Sequence, residues 1–287
     1  MRLPAPLSRN NPYVYKNNFG HVLILAGSRH MLGAGALTSF AALRSGAGLV
    51  TLGVPRSLNS LAQKKISNCV MTLSLPETKK QSLAISAFKE IQSICSKYNA
   101  LAIGPGLGTE PSTQKLILKI ISCLPLPMVI DADALTALIR NKNILNKTST
   151  AKILTPHPGE MARMLETNRA TIEADRHKIA RNFVQKYNCT LLLKGHHSVI
   201  ATKGTRLYIN KSGNAGMATA GSGDVLSGML AAFLAQGLSA FNAAKYGAYL
   251  HGKAGDLAAK AKTRLSMVAS DIIDFIPNAV RCNHIFA

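Results

Sequence analysis

Short apolar runs that end in glycine or proline alternate along this sequence with stretches of helical periodicity. The runs are rich in Val, Ile and Leu, and their length suits buried strands. Strands that alternate with helices form parallel sheets, because a parallel neighbour is reached through a crossover helix. The pattern therefore predicts an α/β fold with a mostly parallel central sheet and helices on both faces. The strand-like runs are residues 21–27, 49–55, 100–106, 127–133, 152–158 and 190–195.

Between and after these runs, the spacing of apolar residues predicts helices. After the last run, two β-rich segments flank a turn at Gly204 and predict a hairpin at the sheet edge. No repeat, linker or low-complexity tract interrupts the alternation, and 287 residues of which 47% are hydrophobic can bury a sizeable core. We therefore expect a single domain over residues 1–287. The predicted helices are 34–45, 80–97, 112–122, 159–166, 171–187, 224–236 and 240–260.

Composition limits the classes of partner. The net charge is +21, but the basic residues are spread along the chain and aromatic residues make up only 5%, so we expect no nucleic-acid partner. The charge instead favours anionic small molecules. The first residues contain no apolar stretch of signal-peptide length, and Lys, Pro or Asp interrupts each long apolar region, so we expect a cytoplasmic protein without a membrane partner. Five scattered cysteines predict neither a zinc site nor a disulfide framework.

The densest glycine cluster is GNAGMATAGSGDVLSG, residues 213–228, immediately before a helical run. The first amides of a helix have no intrahelical partner and carry the positive end of its dipole, so a glycine turn there can bring them against phosphate. Asp224 would repel that phosphate unless it had a chemical task. Removing a proton from a hydroxyl next to a phosphoryl group is such a task. The alternative is that Asp224 only caps the helix.

Other turns at the predicted carboxyl ends of strands carry residues suited to ligands, which bind at that edge of open α/β sheets. His157 stands between two prolines with Glu160 opening the next helix, and is either a ligand contact or a structural turn residue. Lys194 either meets a nucleotide phosphate or simply ends a strand. The GPGLG turn at 104–108 lacks the full dinucleotide fingerprint, and GAYLHGKA at 247–254 lacks the hydroxyl residue of a Walker A loop.

In this order, the turns resemble those of the NAD(P)H-hydrate dehydratases of the ribokinase-like superfamily, which use ADP or ATP. The resemblance extends over about residues 15–277 and implies a ribokinase-like three-layer sandwich. It also implies a carbon–oxygen lyase of metabolite repair, which dehydrates the S-epimer of hydrated NADH or NADPH while ADP becomes AMP, or ATP becomes ADP, plus phosphate. The segments that carry it are GHVLILAGS, GALTSFAALRSGAGLV, AIGPGLG, VIDADAL, LTPHPGE, LLLKG and GNAGMATAGSGDVLSGMLAAFLAQG.

The resemblance also implies roles for individual residues. In that family the glycine turn forms the anion hole for the transferred phosphoryl group, and its aspartate is the catalytic base. Carried over, Gly221 and Gly223 bracket the anion site and Asp224 activates the substrate hydroxyl. The hydrated nicotinamide is contacted from the early turn, the GPG turn and the histidine turn. The implied substrate contacts are Ala34, Gly106, His157 and Asp224.

Nucleotide, metal and assembly are implied in the same way. Glu160 resembles the acid that helps to organise Mg²⁺ indirectly near the phosphates. The family resemblance implies a homo-oligomer, specifically a homotetramer. Many bacterial relatives carry an epimerase domain ahead of this one, and we expect any partner epimerase of this chain to be a separate protein. The implied nucleotide-binding residues are Lys194, Gly195, His196, His197, Ser198 and Gly223.

Two other interpretations stay open. One is a ribokinase-like kinase of sugars or of vitamin precursors such as hydroxyethylthiazole or hydroxymethylpyrimidine, and the other is a nucleotide-binding regulatory protein without turnover. LTPHPGE and GALTSFAALRSGAG favour the dehydratase, and Asp224 argues against a dead enzyme. The chain departs from the family at Ala220 and Gly35, where the family often has Gly and Ala. ADP is the expected nucleotide, and the choice between NADH and NADPH hydrate is open.

Overall fold

A computed structural model describes residues 1–7 and 11–282, and within them nine strands form one sheet. The order across the sheet is β3-β2-β1-β4-β5-β6-β7-β8-β9. Strands β1 to β7 pair in parallel, and β8 and β9 complete the edge in antiparallel pairing, which confirms the predicted parallel sheet and edge hairpin. The strands are β1 His21–Leu25, β2 Leu49–Pro55, β3 Met71–Leu75, β4 Ala100–Ile103, β5 Met128–Ile130, β6 Lys152–Leu154, β7 Thr190–Leu193, β8 Val199–Ala201 and β9 Tyr208–Ile209.

Helices cover both faces of the sheet, which confirms the three-layer α/β architecture. One face packs against α1, α2 and α9 to α11, and the other against α3 to α8. No helix among the described residues has the length and apolarity needed to cross a membrane. The helices are α1 Leu32–Arg44, α2 Asn59–Lys65, α3 Ala87–Ile94, α4 Pro111–Cys123, α5 Asp133–Leu138, α6 Pro158–Met164, α7 Arg169–Ala174, α8 Arg176–Lys186, α9 Ser222–Ala235, α10 Ala240–Lys262 and α11 Ala269–Arg281.

The apolar runs are continuous because the strands are buried on both sides. Along a strand, successive side chains point to opposite faces. Val22 and Ile24 of β1 lie in one core, and Leu23 and Leu25 lie in the other. All four are fully buried. A central parallel strand therefore needs an apolar residue at every position, and alternation with polar residues is absent from it.

Helix α9 lies at the centre of one layer, against α1 and beneath β1, β4 and β5. Apart from Gly223 and Asp224, every residue of α9 is buried. A Cβ atom on Gly228 would lie 2.1 Å from the carbonyl oxygen of Thr38 in α1, so glycine is required where the two backbones meet. A helix enclosed in this way is apolar on all sides, and its only accessible part is its amino-terminal turn.

Several elements differ from the sequence prediction. Short or interrupted elements were missed, namely α2, β3, α5 and α11, and α11 contains Pro277, a residue that usually breaks a helix. The helix predicted over 171–187 is wrong in its middle, because Asp175 (φ −148°, ψ 70°) separates α7 from α8. Its side chain accepts a hydrogen bond from the Lys178 amide at 2.9 Å and caps α8. Of the helix predicted over 80–97, only α3 forms.

The order of strands reverses between β1 and β4, since β2 follows on one side of β1 and β4 on the other. The Gly27 amide donates to the Pro105 carbonyl at 2.8 Å and joins the turns that follow these two strands. Ligands of open α/β sheets bind in the crevice at such a switch point. The turns that follow β1 and β4 are therefore a candidate ligand-binding position.

Candidate active site

The glycine turn ends in a left-handed residue that starts α9. Gly221 has φ +88° and ψ −14° and precedes the helix, so Asp224 is its third residue and not its N-cap. The interpretation of Asp224 as a cap is therefore wrong, and the predicted start just before Asp224 is confirmed. A Cβ atom at 221 would lie 2.5 Å from Leu37 Cδ1. Both the backbone angle and the space thus require glycine.

Two backbone amides of this turn are free to bind a ligand. The amide of Val225 donates to the Gly221 carbonyl at 3.0 Å, and that of Ser222 donates to Thr219 at 3.3 Å. Over residues 1–7 and 11–282 no protein group accepts from the amides of Gly223 and Asp224, and Gly221 has no side chain that could cap them. These N–H groups at the positive end of α9 form an anion site.

The Asp224 carboxylate stands beside these amides without a hydrogen-bond donor of its own in the described chain. Burial raises the pKa of Asp224 to about 6; repulsion from Asp131 adds to this, attraction to Lys194 opposes it, and Asp133 repels more weakly. A general base is most effective when its pKa lies near the working pH. Asp224 is thus mainly ionised at neutral pH and still basic enough to accept a proton.

A buried ion pair connects the glycine turn with three strand ends. Asp131, 1% exposed, accepts hydrogen bonds from Lys194 Nζ at 2.9 Å and from Ser227 Oγ at 2.7 Å. Glu160 Oε2 lies 3.8 Å from the same Nζ. Burial opposes the charge of Lys194, but the carboxylates outweigh it and raise its pKa. A Cβ on Gly223 would lie 3.5 Å from Nζ, so this ammonium group lies directly beside the anion site.

His157 caps α6 through its imidazole. Its Nδ1 accepts from the amides of Gly159 at 3.0 Å and Glu160 at 3.2 Å, and Glu160 Oε2 accepts from the His157 amide at 2.8 Å. Burial lowers the pKa of His157 although Glu160 favours the charged form. The interpretation as a structural turn residue is therefore confirmed. The ring is also accessible, since its side chain is 51% exposed, and the ligand contact stays a prediction.

A cavity of about 610 Å³ opens beside the glycine turn. Segment 194–198, segment 210–219 and the middle of α10 form its walls, and it includes every residue predicted to bind the nucleotide. His251 of α10 lies 3.5 Å from Ser222 Oγ, and burial lowers its pKa to about 4, so this wall residue is neutral. The predicted residues that line the cavity are His157, Lys194, Gly195, His196, His197, Ser198 and Gly223.

The opposite wall is anchored by residues that sequence reasoning missed. Asp256 accepts from the Gly213 amide at 3.1 Å and from Asn214 Nδ2 at 3.2 Å. Asn214 Oδ1 in turn accepts from the Gly216 amide at 2.9 Å. The available sequence signals were Asp256 within the predicted helix 240–260 and Asn214 within the glycine-rich stretch 213–228. This network fixes the start of the glycine turn on α10.

The other predicted substrate residues, Ala34 and Gly106, lie at the switch point. A Cβ atom on Gly106 (φ +62°) would lie 3.0 Å from the Cβ of Ala34 and 2.8 Å from that of Met31. The structure thus brings Ala34 and Gly106 together, whereas His157 lies at the cavity of segment 194–198. Asp133 holds the adjoining turn by accepting from the Gly108 amide at 2.7 Å.

The chain resembles known proteins over nearly its whole length. The profile of the NAD(P)H-hydrate dehydratase family matches residues 22–278. A bifunctional NAD(P)H-hydrate repair enzyme of Moorella thermoacetica is 44% identical over 96% of this chain and 52% of its own length. An ADP-dependent (S)-NAD(P)H-hydrate dehydratase of Neisseria meningitidis is 36% identical over 90% of this chain and 83% of its own length.

The fold has a close counterpart among solved structures. The ADP/ATP-dependent NAD(P)H-hydrate dehydratase of Bacillus subtilis, co-crystallised with ATP/Mg²⁺, superposes with a TM-score of 0.84 at 27% identity, over 97% of this chain and 95% of that one. The chain spans about half the length of the bifunctional repair enzymes that it matches.

Proposed function

Because the chain belongs to the NAD(P)H-hydrate dehydratase family, we propose that it dehydrates the S-epimer of hydrated NADH or NADPH at the expense of ADP or ATP. One observation carries the proposal. A carboxylate with a pKa of about 6 stands next to two amides at the start of α9 that have no acceptor among the described residues, beside a cavity lined by segment 194–198. This arrangement combines a base and an anion site next to a compartment for a nucleotide.

In the proposed reaction, Asp224 removes the proton from the ring hydroxyl of the hydrate. The hydroxyl oxygen attacks the terminal phosphorus of the nucleotide, whose bond to the leaving phosphate oxygen breaks. The amides of Gly223 and Asp224 stabilise the charge on the transferred group, and losing one such donor typically costs on the order of 10²–10³ in rate. Loss of the phosphate ester and of a ring proton then restores the double bond of NADH or NADPH.

Mg²⁺ is the proposed metal, and it would neutralise charge on the nucleotide phosphates. Within the described residues, no three His, Cys, Asp or Glu side chains are arranged to hold a metal ion. This fits Mg²⁺, which proteins commonly bind through one or two carboxylates together with substrate phosphates and water. Glu160, with Oε2 3.8 Å from Lys194 Nζ, would act indirectly by orienting such water.

A small-molecule kinase would use the same base and anion site, and the binding surface distinguishes the two proposals. Ala34 and Gly106 lie together at the switch point, and neither lines the 610 Å³ cavity that holds the predicted nucleotide residues. A dinucleotide has two nucleotide halves and a pyrophosphate and needs such an extended surface. A thiazole or pyrimidine alcohol does not, which favours the hydrate as substrate.

The test is an absorbance assay of the reduced nicotinamide ring. Purified protein is incubated with hydrated NADH or NADPH and with ADP or ATP, and we expect recovery of the absorbance only when both hydrate and nucleotide are present. ADP is expected to be the better nucleotide. Phosphorylation of thiazole or pyrimidine alcohols without turnover of either hydrate would establish the kinase instead.

Further proposals concern the setting of the reaction. From the family resemblance we propose a homotetramer and an epimerase that supplies the S-epimer. From the sequence pattern we propose a single domain over residues 1–287 and a cytoplasmic location. Light scattering of the purified protein tests the tetramer. Turnover of a mixture of both epimers that reaches completion only after a separate epimerase is added tests the partner.

A further inference from the structure

Arg176, the first residue of α8, lies behind segment 194–198 and holds its backbone. Its Nη2 donates to the carbonyls of Leu193 and His197, both at 3.1 Å, and its Nη1 donates to the carbonyl of His196. A Cβ atom on Gly195 would lie 3.2 Å from the guanidinium carbon, so the segment crosses the guanidinium group at close range. Arg176 thus binds three carbonyls of this segment and its flank.

These hydrogen bonds determine where the amides of the segment point. The peptide unit is planar and trans, so the N–H of each unit points away from its C=O. The carbonyl of Leu193 faces Arg176, and the Lys194 amide of the same unit donates to Pro156 at 2.8 Å in the other direction. By the same geometry, the amides of His197 and Ser198 point away from the guanidinium group.

The two amides have no acceptor within residues 1–7 and 11–282, and both residues line the 610 Å³ cavity. The backbone around them is constrained, with φ +55° at His197 and φ +138° at Gly195. A non-glycine residue with positive φ is strained and persists only when surrounding contacts hold it. Arg176 provides such contacts, because its planar fork can bind several carbonyls at once.

We propose that Arg176 is a positioning residue for the nucleotide: it fixes the peptide units of segment 194–198 so that the His197 and Ser198 amides face the ligand. The inference rests on the proposed function, since the ligand is the adenine nucleotide of that reaction. Arg176 itself contacts the back of the segment and does not line the cavity. Its effect is therefore on nucleotide affinity and on the order of the segment.

The experiment compares Arg176→Gln and Arg176→Lys with Arg181→Gln, which removes an equal charge from an exposed position of the same helix. Calorimetry measures ADP binding, and kinetics measure KM for nucleotide and hydrate separately. We expect both Arg176 variants to weaken ADP binding roughly tenfold to a hundredfold, the range for lost hydrogen bonds to a charged group. In the Arg176 variants, the KM for the hydrate should stay as in the wild type. The Arg181→Gln variant should bind ADP as the wild type does.

Hydrogen exchange of the ligand-free protein gives a readout independent of activity. Peptides that cover 193–198 should exchange faster in the Arg176 variants, and peptides from β1 and β4 should not. If the wild type binds neither ADP nor ATP, the proposed function fails, and the inference about the nucleotide fails with it. Faster exchange would then show only that Arg176 orders the segment. The inference is overturned if a folded Arg176→Lys binds ADP as wild type does, if both KM values rise equally, or if neither Arg176 variant folds.

Discussion

Helices α6 and α9 both begin at the ligand-binding edge, and both have an acidic third residue, yet their amino-terminal amides are used differently. In α6, His157 Nδ1 accepts from two amides, and the Glu160 carboxylate accepts from the His157 amide. In α9, Gly221 offers no side chain, and within the described chain the amides of Gly223 and Asp224 have no acceptor. The first start is closed by its own side chains, and the second is left open.

The difference supports the proposed role of Asp224 as the base, because its carboxylate is less tied to the protein than that of Glu160. Glu160 is held by a backbone amide and lies near Lys194, whereas no donor of the described chain binds the Asp224 carboxylate. An uncapped start costs stability, because capping by a side chain is typically worth about 1 kcal/mol. At α9 this cost is consistent with the proposed site, in which two amides and the Asp224 carboxylate stay available to a substrate.

The largest effect should come from Asp224→Asn, which removes the base and keeps the shape of the open start. Turnover should fall by about 10²-fold or more, the typical contribution of a general base. Steady-state assay with hydrate and ADP measures the loss, and calorimetry with ADP serves as the control for an intact nucleotide cavity. Near-normal turnover in a folded variant would contradict the assignment of Asp224 as base.

Gly221→Ala should displace the glycine turn at the uncapped start of α9. The new Cβ would lie 2.5 Å from Leu37 Cδ1 at a residue with φ +88°, so the turn must shift, and displacements near 1 Å can cost up to about 100-fold in rate. The matched control is Gly237→Ala, which has the same φ of +88° and no atom within 4 Å of its new Cβ. Equal turnover in the two variants would show that the shape of the turn is unimportant.

The pH dependence should report the pKa of Asp224. Since this pKa is about 6, kcat/KM should fall by about tenfold for each pH unit below that value, because only the ionised base reacts. The residual activity of Asp224→Asn should lack this limb. A wild-type profile that is flat down to pH about 4 would exclude Asp224 as the titrating base.

Stability should depend on pH in the opposite sense to activity. The pKa of Asp224 in the folded state, about 6, lies above the ordinary aspartate value of 3.8 that holds in the unfolded chain. Between these values the folded state holds more protons, so it loses stability as pH rises through this window. Above pH about 6, Asp224→Asn should therefore unfold at a higher temperature than the wild type. Its free energy of unfolding should be larger by at most ~3 kcal/mol. Near pH about 4 the two melting curves should converge, and a less stable variant at neutral pH would contradict the burial argument.

The smallest effect should follow from removing the His157 cap at the start of α6. His157→Ala removes the cap of α6 and should cost about 1 kcal/mol, seen as a melting temperature lower by about 2–4 °C. His157→Ser restores a capping oxygen without the ring. NADPH affinity should fall by about 1–3 kcal/mol in both variants if the ring contacts the substrate. Full affinity in His157→Ser would show that the histidine only caps, and a loss confined to ADP would make it a nucleotide contact.

The sequence was sufficient for the sheet and for the start of α9. Short continuous apolar runs that end in glycine or proline predict strands buried on both faces, and their length distinguishes them from an enclosed helix such as α9. It was insufficient for β3, which lies at the sheet edge and is mostly half-exposed, and for α11, whose internal Pro277 imitates a helix end. Local signals fail where the tertiary environment decides the outcome.

For the site, the strand pattern predicted that the turns share one sheet edge, and the family resemblance implied that segment 194–198 and Gly223 bind the nucleotide. Both line one cavity, and their role in binding stays a prediction. The pairing of Lys194 with Asp131 joins residues 63 positions apart, and no local pattern reveals it. The hydrogen bonds from Arg176 to the backbone of segment 194–198 depend likewise on how α8 packs on β7.

The position of α9 has a consequence for synthesis on the ribosome. The helix that covers β1, β4 and β5 begins at Ser222, whereas its neighbour α1 already ends at Arg44. At about 5–20 residues per second, the emerging chain presents an uncovered apolar sheet face for many seconds before its cover is made. Chaperone binding during that interval would protect the nascent chain from aggregation. The same helix carries Asp224, so the proposed base is in place only when that face is closed.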